Sequence, residues 1–236
     1  MKLENWNKED YHNYINYLIS LGEKDYKEFS KKLIATKYEM LGIRLPKLRS
    51  IAKEIVKGNY QEYLQFNKYK YYEEVMIKGF VIAYSKNENI LDEYLQEHIE
   101  SIDNWSLCDS FCNSLKLIIK GKEKYFNLFK KLSLSNKEYY IRVGLITILN
   151  SFIDNDHIDE IFNILDNVSL DTYYVNMASA WLLCECFIKQ RDKTLKYLSK
   201  SKLNNFSFNK GIQKSIESYR VSKSDKDYLR TIKKEK

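Results

Sequence analysis

The stretch Ile102-Asp103-Asn104-Trp105-Ser106-Leu107-Cys108-Asp109-Ser110-Phe111 decides how the rest of the chain is read. As a helix it sets the Trp105 ring and the Asp109 carboxylate four residues apart, one above the other on a single face. An aromatic plate beside an anion suits a ligand that carries, or develops, positive charge. A half-buried Trp next to a solvated or capping Asp is the plain structural reading of the same pair. Trp105 is also one member of a series. Tyr71-Tyr72, Trp105, Tyr139-Tyr140 and Tyr173-Tyr174 begin at 71, 105, 139 and 173, three successive steps of 34, and a further step reaches Ser207-Phe208. Each landmark opens an amphipathic run, over residues 72–85, 105–119, 139–152, 173–188 and 208–219. Shorter helical patterns at 90–99, 122–132 and 157–165 lie between them.

Two helices per unit at a constant period is the signature of an α-solenoid. The recurring proline of tetratricopeptide repeats is missing, which leaves HEAT-like pairs as the favoured form. The expected fold is therefore all-α: HEAT-like antiparallel helix pairs with a concave basic groove. It forms a single domain over residues 1–229, followed by a basic tail, 230–236, read as a solvated, frayed end. Composition agrees. One proline, seven glycines and 44% hydrophobic residues suit helices joined by short turns, and 236 residues suffice for a continuous core. Upstream of the landmarks, helices are expected from about Asn5 to Leu21, from Lys24 to Leu41, and from Pro46 to Lys57. Their ends are marked by Gly22, Gly42 and Gly58.

The net charge of +7 favours an anionic partner, although 32 acidic residues are mixed among 39 basic ones. The N-terminal Met1-Lys2-Leu3-Glu4-Asn5-Trp6-Asn7-Lys8-Glu9-Asp10 has no apolar core of a secretory kind. The most apolar run, 177–188, is too short to span a bilayer and is interrupted by Glu185. A cytoplasmic protein without membrane contact is expected. Cys108, Cys112, Cys184 and Cys186 have neither zinc-knuckle nor disulfide-framework spacing and read as buried thiols. His12, His98 and His157 are scattered and read as surface or packing residues. No metal or other cofactor is expected.

Counted from the landmark of each repeat, Trp105 stands at 0, Asp109 at +4, Arg142 at +3 and Trp181 at +8. On a common helical wheel these fall within roughly 140°. Lys210 takes the register of Arg142 in the last repeat.

At these residues the sequence resembles the AlkD-like DNA alkylation repair glycosylases, which are built of HEAT-like repeats. The resemblance is carried by Leu41-Gly42-Ile43-Arg44-Leu45-Pro46-Lys47-Leu48-Arg49-Ser50-Ile51-Ala52-Lys53, by Trp105 and Asp109 in a Trp-x-x-x-Asp element, by Arg142 in Tyr-Ile-Arg-Val-Gly, and by Trp181 in Ala-Trp-Leu-Leu-Cys-Glu. It implies an enzyme that binds duplex DNA in a basic concave groove and hydrolyses the N-glycosidic bond of cationic N3- or N7-alkylated purines; a monomer is expected. It further implies that Trp105, Asp109 and Trp181 surround the deoxyribose and that Arg142 grips backbone phosphate; Lys210, by its register, and Arg44 and Lys47 are expected to contact DNA as well. The chain departs from the family at Cys184, where relatives often carry Arg, at Met177, where a basic residue is common, and at Leu33, where some place an aromatic.

The implied chemistry agrees with what these residues can do. An alkylated purine is already cationic and leaves as a neutral base, so no strong general acid is needed. Asp109 can stabilise the oxocarbenium character left on the sugar, with aromatic faces beside it. No lysine nucleophile is required, so strand cleavage is not implied. The alternative is a non-catalytic helical-repeat module that binds DNA or a protein through the same groove. Asp109 separates the two, because an anion among DNA phosphates benefits catalysis and not binding.

Overall fold

A computed structural model describes residues 5–234; Met1–Glu4 at the start of the N-terminal stretch, and residues 235 and 236 of the basic tail, lie outside it. The described residues form helices, with one isolated bridge between Glu39 and Tyr71 and no other extended pairing among them. None of these helices is long and apolar enough to cross a membrane. The chain divides into two compact units, Met1–Ile118 and Ile119–Lys236.

The first unit contains α1 (Lys8–Ser20), α2 (Lys24–Lys31), α3 (Leu45–Ile55), α4 (Tyr60–Leu64), α5 (Tyr72–Tyr84), α6 (Glu88–Ser101) and α7 (Trp105–Ser114). A short α8 (Lys116–Ile119) runs across the junction. Asn7 starts α1 through a capping box with Asp10. Pro46 sits in the first turn of α3, where a missing N–H leaves no bond unmade. The centre is α5, whose residues from Tyr72 to Ala83 are all buried. It packs against α3, α4, α6 and α7. Each fully buried Val, Ile or Phe there contributes about 1.5–3 kcal/mol relative to exposure.

The second unit contains α9 (Glu123–Ser133), α10 (Glu138–Ser151), α11 (Ile158–Asp166), α12 (Tyr173–Lys189), α13 (Arg191–Leu198), α14 (Asn205–Glu217) and α15 (Lys223–Thr231). Here α12 is central, packed between neighbours α10 and α14 and touched by α11 and α13. Across both units the four cysteines are buried and none of them forms a disulfide, as their helical positions suggest.

The repeat written in the sequence becomes a set of contacts. Tyr72 donates to Ser106 Oγ (2.8 Å), Ser169 to the Ser135 carbonyl (2.8 Å) and Lys193 to Asp159 (3.0 Å), and His157 meets Glu123 (3.0 Å). Arg191 Nε meets Asp225 at 2.9 Å. Every one of these pairs is separated by 34 residues. Equivalent positions of consecutive repeats thus touch within each unit, which is what makes the chain an all-α helical repeat.

Three local expectations change. The second helix stops at Lys31, well before Leu41. Beyond it Thr36 Oγ1 and the Lys37 N–H bond to the Asp103 carboxylate, and the Tyr72 amide donates to the Glu39 carbonyl. These long-range partners replace the helical ones. Gly42, at φ 89°, then supplies the left-handed turn that leads to α3. The expected run over 105–119 breaks at Leu115, where Ser114 back-bonds to the Ser110 carbonyl and accepts from Arg49. The described part of the tail is not frayed: Arg230 belongs to α15 and pairs with Asp227, while Lys234 donates to the Leu203 carbonyl and its amide to Asn209.

Candidate functional site

Two groups of the expected site residues are formed, one in each unit. In the first, Asn104, itself 1% exposed, caps α7 by accepting from the amides of Ser106 (3.0 Å) and Leu107 (3.1 Å). That cap fixes where the helix starts, and so the direction of Trp105 at its first position. Leu107, Cys108, Phe111 and Cys112 form the inward face of α7. Trp105 and Asp109 are half-buried and stand one turn apart beside that face.

The Trp105 indole N–H reaches the Leu33 carbonyl at 3.3 Å. The segment after α2 is tied to the start of α7 at further points: Asp103 accepts from Thr36 (2.9 Å) and the Lys37 amide (2.7 Å), and Tyr38 donates to the Ser101 carbonyl (2.9 Å). Burial and the adjacent Asp103 push the Tyr38 phenol up to about 12, so it stays a neutral donor. Leu33 itself is 55% exposed. It therefore presents an aliphatic side chain to solvent and a carbonyl to Trp105.

Arg44 and Lys47 lie at the start of α3 and are exposed. Arg44 forks onto the Glu23 carboxylate, with both Nε contacts at 3.0 Å, and lies 4.9 Å from the Tyr26 ring. Lys47 stands 5.9 Å from the Tyr17 ring. The neighbouring Arg49 has an internal task, donating to Tyr84 (2.6 Å) and Ser114 (3.0 Å) over the Phe80 ring.

In the second unit Arg142, on α10, is 2% exposed. It donates to the Tyr174 carbonyl at 2.7 Å and lies 5.5 Å from the Trp181 ring. Arg142 and Trp181 are thus brought together across α10 and α12. Lys210 is exposed on α14. Met177 is half-buried on α12, and Cys184 is 7% exposed, its thiol raised above the ordinary range by burial.

One residue of this group escaped the sequence reading. Lys214 Nζ lies 4.7 Å from the Trp181 ring. A signal existed, since Lys214 follows Lys210 by one helical turn on the run opened by Phe208. Burial and the nearby Lys210 charge lower the Lys214 pKa. In the first unit the same holds for Asp103 and Asn104. They precede Trp105 in the sequence; the amides that Asn104 caps are local, but the partners of Asp103 at residues 36 and 37 are too distant along the chain to be read from spacing.

Residues 14–214 match the family model described as DNA alkylation repair enzyme. No curated protein matches the chain. The matched region includes Trp105, Asp109, Arg142, Trp181 and both α14 lysines.

Proposed function

The chain belongs to the DNA alkylation repair enzyme family, and on that premise we propose that it is a monofunctional DNA glycosylase that hydrolyses the N-glycosidic bond of cationic N3- or N7-alkylated purines in duplex DNA. The observation that carries this reading is the pair on α7. A half-buried carboxylate, Asp109, stands one turn from an indole whose direction is fixed by the Asn104 cap and the Leu33 carbonyl.

The bond to an alkylated purine breaks with the electron pair departing on the base, which is neutralised as it leaves. Positive charge develops on the sugar. Asp109 stabilises that charge and orients the water that adds to the sugar carbon, and the proton of this water passes to solvent or to the carboxylate. Trp105 offers its π face to the electron-poor sugar. In the second unit Trp181 gives DNA a further aromatic surface, and Arg142, 2% exposed and bound to the Tyr174 carbonyl, braces that ring instead of projecting to a phosphate. Exposed Lys47 and Lys210 supply charge for the backbone, and Arg44 adds its own by exchanging the Glu23 carboxylate for phosphate.

The test is release of free base from methylated duplex DNA. Release of 7-methylguanine or 3-methyladenine, with uracil untouched, is expected. Binding of duplex DNA without release of any base would replace this reading with a non-catalytic DNA-binding module.

A further inference from the structure

The positive charge around Trp181 does not come from its own helix. Cys184, one turn further along α12, is buried, and burial keeps its thiol protonated. Met177, one turn before, is uncharged. Arg142 lies 5.5 Å from the ring but is 2% exposed, and the second cation on Trp181 arrives from α14. Gly211 favours this approach: a Cβ there would stand 2.7 Å from Leu183 Cδ2 and 3.1 Å from the Ala180 carbonyl, so a larger residue would make the Leu183 side chain turn away and α14 draw back slightly from α12. Lys214, one turn after Gly211, then reaches the Trp181 ring at 4.7 Å.

Several cations of the second unit are already neutralised. Arg191 pairs with Asp225, Lys193 with Asp159, Lys130 with Glu160 and Arg220 with Glu185. Lys210 and Lys214 form no ion pair among the described residues of the second unit. They stand one turn apart, and like charges at that spacing destabilise a helix. An anion shared by both would relieve the repulsion.

We propose that Lys210 and Lys214 form a phosphodiester-binding site beside Trp181, in which α14 supplies the charge that Cys184 and Met177 do not. This deepens the DNA-binding part of the proposed function and names the ligand as backbone phosphate. Lys214 holds one phosphate oxygen while its methylene stem covers the indole, and Lys210 closes on the same anion from the preceding turn.

The experiment measures affinity of the full chain for a short unmodified duplex by fluorescence anisotropy over a range of salt concentrations. Lys214→Met keeps the stem on Trp181 and removes the charge. It should lower the slope of log K against log salt by about 0.9, and weaken binding at 0.1 M salt by about eightfold, the factor which that slope gives relative to 1 M. Lys210→Met should act in the same direction, and Lys214→Arg should restore both quantities. Thermal melting verifies that the variants fold. A wild-type slope and affinity in folded Lys214→Met would overturn the site, whether or not the protein excises bases. A reduced slope in Lys214→Met from a wild type that releases no base would keep the site and remove only the glycosylase reading. No binding of duplex DNA by wild type would overturn both.

Discussion

His157 Nε2 lies 3.0 Å from the Glu123 carboxylate, 34 positions earlier, and His157 Nδ1 lies 2.7 Å from Asp154. One imidazole therefore ties two successive repeats of the second unit. Burial lowers its pKa, but the bonds to Glu123 and Asp154 outweigh burial and leave it raised above 6.5. A raised folded-state value means that the stabilisation is complete below about 6.5 and is lost as pH rises through the raised value. The second unit should lose stability as pH rises above about 6.5. His157→Gln should flatten that dependence, read by amide hydrogen exchange of α9 and α11.

His98, in the first unit, has the opposite sign. It is 2% exposed against the Phe111 ring, and burial, aided by the Lys78 charge, lowers it to about 3. It folds neutral, so stability is present above about 6.5 and is lost on acidification towards the folded value, by up to about 1.4 kcal/mol per pH unit. Hydrogen exchange of α5 and α6 should speed up between pH 6.5 and 5, where the His157 tie is at full strength.

Asp109→Asn keeps the shape of the side chain and removes its charge. Single-turnover release of 7-methylguanine should fall by about 10²-fold or more, while duplex affinity holds or rises slightly because one anion has left the binding face. Equal release by wild type and variant would eliminate Asp109 as the electrostatic catalyst.

Arg142→Met leaves the Tyr174 carbonyl without its charged donor and Trp181 without its neighbouring guanidinium. Loss of a hydrogen bond to a charged group should cost about 1.5–3 kcal/mol, measured by urea denaturation. Arg142→Lys should recover only part of this, since an ammonium lacks the planar fork.

Asp103→Ala should free the segment after α2. Its carboxylate holds both Thr36 and the Lys37 amide, so hydrogen exchange at residues 36–38 should accelerate, and the tie between Leu33 and Trp105 should loosen with it. Unchanged exchange would mean that the Tyr38 bond to Ser101 and the bridge between Glu39 and Tyr71 suffice to hold the segment.

What the sequence determined by itself is local or periodic. A step of 34 residues located α5, α7, α10, α12 and α14 to within a few residues, because an amphipathic helix repeats its apolar face every 3.6 residues and a stacked repeat must present that face again at the same register. It also set Trp105 and Asp109 one turn apart, which needs nothing beyond helical geometry. Tertiary structure decided the rest. Whether the residues after Lys31 continue a helix depended on Asp103 and Tyr71, and no window of local sequence contains those partners. Whether Arg142 faces solvent depended on Tyr174 and Trp181 in the next repeat, and the second cation at Trp181 depended on how closely Gly211 lets α14 approach α12. Spacing along the chain fixes which face of a helix a residue occupies; what covers that face is fixed only when the neighbouring helix packs against it.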